Sequence, residues 1–419
     1  MAIAGLAITF PFMNLAAAFG SLVGVGASTL VAIKLGQKDK ESATHVLGNV
    51  VMLNGIIGLV FMTVALLFLD PILLFFGASP DTLPYAREYM QVILAGNLVT
   101  HIYMGLNEVL RASGYPQKAM AATLTAVIVN CGLDALFIMG FGWGIRGAAL
   151  ATITAQIIAL GFELHHFSRK KSFLHFQKGI FGLKRQIVGG MLAIGLSPFL
   201  MNLCACFVVI LINKSLKTYG GDLAIGAYGI VNRIVFLFIM IVMGFNQGMQ
   251  PIAAVNSYFE NKQKSSFNQG MQPIAGYNFG ARLFDRLIQV LKYTIFCGVT
   301  VTTIGFLAGQ IFPQSLICLF TSDETLTNIA VEGLRIVLIF FPVVGFQMVT
   351  SSFFQSIGMA KKAIFLSLTR QLLFLIPSLL VFPSIWGTVG VWMSMPVADG
   401  IATIVAACML RWQLKRLKA

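Results

Sequence analysis

Charged side chains are scarce in this sequence. They make up 11% of its 419 residues, where a soluble domain carries about 25%. Acids are scarcer than bases, 15 against 29, and there are only five histidines. Other absences narrow the function. No G-x4-G-K-[ST] loop occurs, so the phosphate cradle of an ATP-driven protein is missing and an ion gradient is the remaining energy source. The six cysteines (Cys131, Cys204, Cys206, Cys297, Cys318 and Cys408) lie in apolar runs without metal-ligand spacing. They read as small buried hydrophobes, with no disulfide framework. His165 and His166 are adjacent, and adjacent residues do not share a helix face, so no metal is expected there. Paired acids at one depth and His-rich motifs are also missing. An enzyme is therefore not indicated, and no cofactor is expected.

What is present is apolar sequence, 57% of residues. It falls into eleven runs of roughly the 20 residues that cross a hydrocarbon core. They lie near 7–33, 46–69, 86–110, 119–140, 147–167, 189–213, 223–250, 287–311, 328–355, 363–382 and 388–410. In lipid the backbone must satisfy its own hydrogen bonds, so continuous runs mean helices; the alternation of a membrane strand is missing. The fold class expected is an all-α integral membrane protein of about eleven transmembrane helices in two pseudo-symmetric lobes.

The net charge of +14 does not point to nucleic acid, because its distribution follows topology. Basic residues gather in alternate loops: Lys34, Lys38 and Lys40, then Arg111 and Lys118, then Arg169 to Arg185, then Lys262 to Arg286, then Lys361 and Lys362, and the tail from Arg411. The loops between them hold acids such as Asp70, Asp81, Asp323 and Glu324. By the positive-inside rule the basic loops and the C-terminus are cytoplasmic. Eleven helices then place Met1 outside, with no signal-peptide n-region. Either the chain starts outside unaided or a helix precedes it.

The chain also repeats itself. At a shift of 244, Gly36 meets Gly280, Gly114-x3-Lys118-Ala119 meets Gly358-x3-Lys362-Ala363, and Leu124-Thr125 meets Leu368-Thr369. At 243, Trp143-Gly144-x2-Gly147 meets Trp386-Gly387-x2-Gly390. Two lobes are expected, 1–185 with five helices and 186–419 with six, joined by the basic stretch 168–188. An even number of helices per copy keeps both copies in one orientation, as in parallel-repeat transporters. Phe245 to Ala253 recurs as Phe267 to Ala275, so 22 residues near 245–275 read as a duplicated insertion. One copy is expected to complete the helix and the other to lie in a cytoplasmic loop or irregular segment.

These motifs resemble the multidrug and toxic-compound extrusion (MATE) family over essentially the whole chain. The carriers are Gly26-Ala-Ser-x7-Gly36 and its counterpart Gln272-Pro273-x3-Tyr277-Asn278-x-Gly280, Arg111-Ala-x-Gly114, and Asn130-x3-Asp134-x2-Phe137-Ile138 with the Trp143 motif after it. The resemblance implies twelve helices in two six-helix lobes around a central cavity. It implies export of bulky, often cationic compounds in exchange for inward H⁺ or Na⁺, mainly by monomers in the plasma (bacterial inner) membrane. It also implies that the opening helix, whose acid works with the fifth-helix acid, is absent here. A chain without it is expected to transport poorly.

Ionisable groups inside spans are functional candidates, because lipid disfavours them. Asp134 leads, about 9 Å from the outer end of its helix by helical rise. Asn130 lies one turn earlier on the same face, and a carboxylate beside an amide oxygen can hold Na⁺ or carry a proton. Asp399 and Gln156 occupy matching depths in the two copies. They are candidates for cavity or substrate contact, with Gln272, Tyr277 and Asn278; pairing of Asp399 with Arg370 or Arg233 is the rival reading. Arg233 and Arg370 are expected to neutralise acids, and Glu108 and Glu163 to be interfacial or paired with Arg111 or a nearby base. Pro198, Pro342, Pro377 and Pro396 are hinge or static-kink candidates. Partners are small-molecule substrates and membrane lipid, with no nucleic acid. The rival functions are a flippase of lipid-linked oligosaccharide or peptidoglycan precursors, which favours a strongly cationic cavity, and a scaffold, which needs neither the repeat nor the buried acid.

Overall fold

The computed structural model describes residues 2–76, 78, 82–248 and 271–418; the side chains of a few of these, Asp222 and Gln272 among them, lie outside the description. All regular elements among them are helices: α1 (Ala2–Gly36), α2 (Lys40–Leu67), α3 (Leu69–Phe75), α4 (Leu83–Ala95), α5 (Asn97–Ala112), α6 (Pro116–Asp134), α7 (Gly144–Ser168) and α8 (Arg185–Gly248) come first. Then follow α9 (Met271–Gly280), α10 (Phe284–Ile311), α11 (Pro313–Cys318), α12 (Glu324–Val337), α13 (Phe341–Ser356), α14 (Ala360–Leu368) and α15 (Ile376–Lys418). Two π-helical turns, Ala135–Gly140 and Thr369–Leu375, continue α6 and α14.

Among the described residues eight helices are long and apolar enough to cross a membrane, nine if α12 and α13, bent by 55° at their break, form one span. The expected count of about eleven is roughly met: the stretch Ala360–Leu417 divides at Gly387, and α4 and α5 adjoin across Gly96. The helix pairs α4–α5 and α12–α13 stand at matching places in the repeat. In the long helices the backbone leaves helical geometry at Gly221 (φ 69°) and Gly387 (φ 59°), rather than at Pro198 or Pro396. Glycine takes positive φ without a Cβ clash, and this is why the breaks fall there.

The backbone carries the duplication. Gly114 and Gly358 both have positive φ, as do Gly144 and Gly387. Among the described residues the non-glycines with positive φ are Lys38 (61°) and Arg282 (58°), again 244 apart. The duplicated nonapeptide is described only in part: Phe245–Gly248 end α8 and Met271–Ala275 begin α9, while 249–270 lie outside the described residues.

Two compact units divide at 202/203, seventeen residues beyond the repeat boundary expected at 185/186. The reason is a helix crossing in the first unit. A Cβ on Gly26 (α1) would strike the Met191 backbone of α8, and one on Gly195 (α8) would strike the Leu22 backbone of α1. Residues 185–202 therefore pack with α1. Helix α5 is the hub of this unit, packing on α1, α2, α6 and α7. His101 Nε2 on α5 lies 3.1 Å from the Ala16 carbonyl oxygen of α1, fully buried. The second unit has one apolar core around Trp392, Tyr228, Leu334 and Phe341 and another around Phe353, Phe354 and Leu291.

The basic stretch 168–188 is held to α2. Asn49 donates through Nδ2 to the carbonyls of Ile180 (3.3 Å) and Gly182 (3.1 Å), and its Oδ1 accepts from the Lys184 amide (3.0 Å). A Cβ on the preceding Gly48 would run into Ile180. We expect Asn49→Ala to lower stability by about 2 kcal/mol, since buried backbone groups lose partners; thermal unfolding in detergent measures it.

The turn before α2 is capped by Asp39, whose Oδ1 accepts from the Ser42 amide at 3.0 Å. The hydrogen bonds from Ser42 hold its carboxyl below the usual carboxylate range, aided by Lys34 at 3.2 Å. A depressed folded value means the cap contributes above the unfolded value near 3.8 and is lost as pH falls through the folded one. Asp39→Ala should cost about 1 kcal/mol at neutral pH. The gap between wild type and variant should close in melting curves recorded below about pH 4.

Candidate functional site

Helix α6 begins with Pro at its first turn and runs 19 residues to Asp134, where regular hydrogen bonding gives way to the π-helical turn. Such turns loosen the backbone and are frequent at functional sites. Asp134 is half-buried, and its Oδ1 is buried without a hydrogen-bond partner among the described residues. No ion pair to Asp134 is seen among them either. Tyr89 of α4 lies within electrostatic reach.

One turn back, Asn130 donates through Nδ2 to Thr152 Oγ1 of α7 at 3.4 Å. Thr152 in turn donates to the Ala148 carbonyl at 3.0 Å. Asn130 and Asp134 thus stay on one face of α6, as the spacing predicts, and Asn130 is engaged with α7. Thr152 escaped the sequence reading. Its signal is the Ala148-x3-Thr152-x3-Gln156 spacing, which aligns two polar side chains on one face of α7. An acid oxygen, an amide oxygen and a hydroxyl form a set of hard donors, suited to a hard cation or a proton.

The other expected residues are dispersed. Gln156 is half-buried and accepts a hydrogen bond from Thr100 of α5. Asp399 is 5% exposed and paired with Arg370, whose Nε donates to Asp399 Oδ1; this is the rival reading of Asp399. Arg370 stands in the second π-helical turn, Thr369–Leu375. Tyr277 and Asn278 are buried in α9, which packs on α10 and α13. Asn278 donates to the Ile274 carbonyl at 2.9 Å. The side chain of Gln272 lies outside the described residues.

Two expectations need correction. Arg233 is exposed and pairs with no acid among the described residues; the acid it was to neutralise, Asp399, is taken by Arg370. Glu108 does pair with Arg111, at 2.9 Å. Glu163, by contrast, is fully buried and bound to an amide: Asn107 Nδ2 donates to its Oε1 at 2.8 Å.

The MatE family model matches residues 1–136 and 263–380, more than half of the chain. The chain belongs to this family. The first match ends just past Asp134, so Asn130 and Asp134 lie within it. Among curated proteins, multidrug export protein MepA of Staphylococcus haemolyticus is 27% identical over 404 residues, covering 96% of this chain and 84% of MepA. Among solved structures, a MATE protein in its bent conformation superposes with a TM-score of 0.89 at 25% identity, over 100% of this chain and 88% of that one. An outward-facing multidrug resistance MATE family transporter of the MOP superfamily gives 0.87 at 25%, over 99% and 88%. As a MATE-family chain, the protein is a multi-pass membrane protein, in keeping with its apolar helices.

Proposed function

We propose that this MATE-family chain is a secondary active multidrug exporter that moves organic, often cationic compounds out of the cell in exchange for inward H⁺ or Na⁺. The observation that carries the reading is the carboxylate of Asp134 beside Asn130 and Thr152, inside a membrane span and without an ion pair among the described residues. A carboxylate locked to a cation has no vacancy for an ion, and this one is unlocked. Its charge changes when a cation arrives, and a change of charge biases a helix bundle between two arrangements. Relatives named as multidrug export proteins support the substrate class. The chain acts as a monomer in the bacterial plasma membrane, with the basic loops and C-terminus in the cytoplasm, and converts no substrate chemically.

The flippase reading needs several cations facing the transport path. Arg370 is taken up by Asp399, so its charge does not count toward a cationic cavity. The test uses purified protein in liposomes loaded with a fluorescent cationic dye. An imposed H⁺ or Na⁺ gradient accelerates dye release if the reading holds. Release indifferent to both gradients, with lipid-linked sugars translocated instead, overturns it.

A further inference from the structure

Below Asp134 the polar side chains of the first unit form a column. On α7, Thr152, Gln156 and Glu163 lie four and seven residues apart, close to one helix face and spanning about 16 Å of rise. Each has a polar partner on a neighbouring helix. Thr152 receives Asn130 of α6. Gln156 receives Thr100 of α5. Glu163 receives Asn107 of α5, whose Nδ2 also reaches the Ala119 carbonyl of α6 at 3.1 Å. Between the last two levels Tyr103 of α5 donates to Thr123 of α6 at 3.5 Å and stands within electrostatic reach of Glu163. Beyond Glu163, Asn107 Oδ1 accepts from Arg111 at 2.9 Å, and Arg111 pairs with Glu108. Lys118 Nζ lies 3.1 Å from His166 Nδ1 at the same end.

Glu163 ends this column in an unusual state. It is 0% exposed, its Oε1 is held by an amide, and its Oε2 is buried without a partner among the described residues. The charged groups within its electrostatic reach are Arg111 and Glu108 on α5, and neither lies within ion-pair distance of it. His166 Nε2, one turn away on α7, is likewise buried and unpartnered. A helix-packing acid needs one partner per oxygen. An acid that takes up and releases a cation needs a free oxygen facing a polar path. Chains of acids, amides and hydroxyls inside membrane bundles serve as such relays.

We propose that the column from Asp134 through Asn130–Thr152, Thr100–Gln156 and Tyr103–Thr123 to Asn107–Glu163 is the inner route of the coupling cation, and that Glu163 is its second carboxylate station, at the basic-loop end. This rests on Asp134 being the ion-coupling residue. It adds a residue that the outer pair does not include and gives the ion a way off.

The experiment compares wild type, Glu163→Gln and Gln156→Leu in the same dye-loaded liposomes. Glutamine keeps the oxygen that Asn107 binds but cannot carry a cation, so a merely structural Glu163 is rescued by it. Gln156→Leu interrupts the column at mid-height without touching either acid. The readout is the ratio of gradient-driven efflux to dye exchange without a gradient, taken on each preparation. We expect both variants to lower this ratio by about tenfold, within the usual range of coupling free energies. Melting temperatures within a few degrees of wild type establish that each variant is folded. A wild-type ratio in Glu163→Gln, or in Gln156→Leu should Glu163→Gln not fold, overturns the route while Asp134 keeps its role. A wild-type ratio in Asp134→Asn overturns the parent reading instead.

Discussion

Asp134→Asn is expected to cut gradient-driven efflux by about 100-fold, near the upper end of the coupling free energies seen between linked sites. The amide matches the carboxyl in shape, so the end of α6 and its π-helical turn are retained. What is lost is the change of charge. Asp134 has no basic neighbour among the described residues, so a bound cation is what alters its electrostatics. A permanently neutral amide leaves the bundle equally placed in the presence and absence of the gradient. Asp134→Glu keeps the charge on a longer arm and should retain a measurable fraction. Efflux from liposomes under a fixed H⁺ or Na⁺ gradient decides the matter; an asparagine variant as active as wild type sinks the assignment.

The largest effect on stability is expected at the crossing of α1 with the first half of α8. Gly195 lies against the Leu22 backbone and Gly26 against the Met191 backbone, each close enough that one added carbon meets main-chain atoms. Main chain cannot swing aside as a flexible side chain does. In lipid, helices associate through close packing of small residues rather than by expelling water, so separating these two removes much of what holds them. Gly195→Ala should destabilise the protein by about 3 kcal/mol, the upper end of overpacking penalties. The double variant with Gly26→Ala should cost less than the sum, because the first substitution already parts the helices. Gly161 has nothing within 4 Å of its added Cβ. Gly161→Ala is therefore the control, and helix propensity leaves it neutral or better. Equal melting temperatures for Gly195→Ala and Gly161→Ala would remove the crossing from this account.

The spans were legible because a run of apolar residues long enough for the membrane is a one-dimensional property. The repeat was legible for a similar reason: Gly114, Gly144, Gly358 and Gly387 carry the positive φ of the turns, and turn geometry leaves its glycines in the sequence. Asp134 stood out as an acid among apolar neighbours. What sequence could not convey was the partner across a helix interface. Asp399 had two candidate arginines at plausible depth, and only the fold assigns Arg370 and leaves Arg233 exposed. Asn49 reads as one polar residue in an apolar helix, yet it fastens a segment some 130 positions away. Glu163 looked interfacial because it falls near the end of its span; burial comes from α5 closing over it. The boundary between units moved from the repeat junction for the same reason, since Gly195 meets α1 only in three dimensions.

Lys38 and Arg282 sit in left-handed turns that glycine would adopt without penalty, whereas a side chain there costs about 1 kcal/mol. Both positions follow the helix that ends at a repeat glycine, Gly36 or Gly280, and both hold a cation. The ease of the backbone has thus been set aside twice, at the same point in each half, in favour of a cation just past the end of a helix. The exchange is made separately in each half, so a Lys38→Gly change relaxes the first turn and leaves the second as it was.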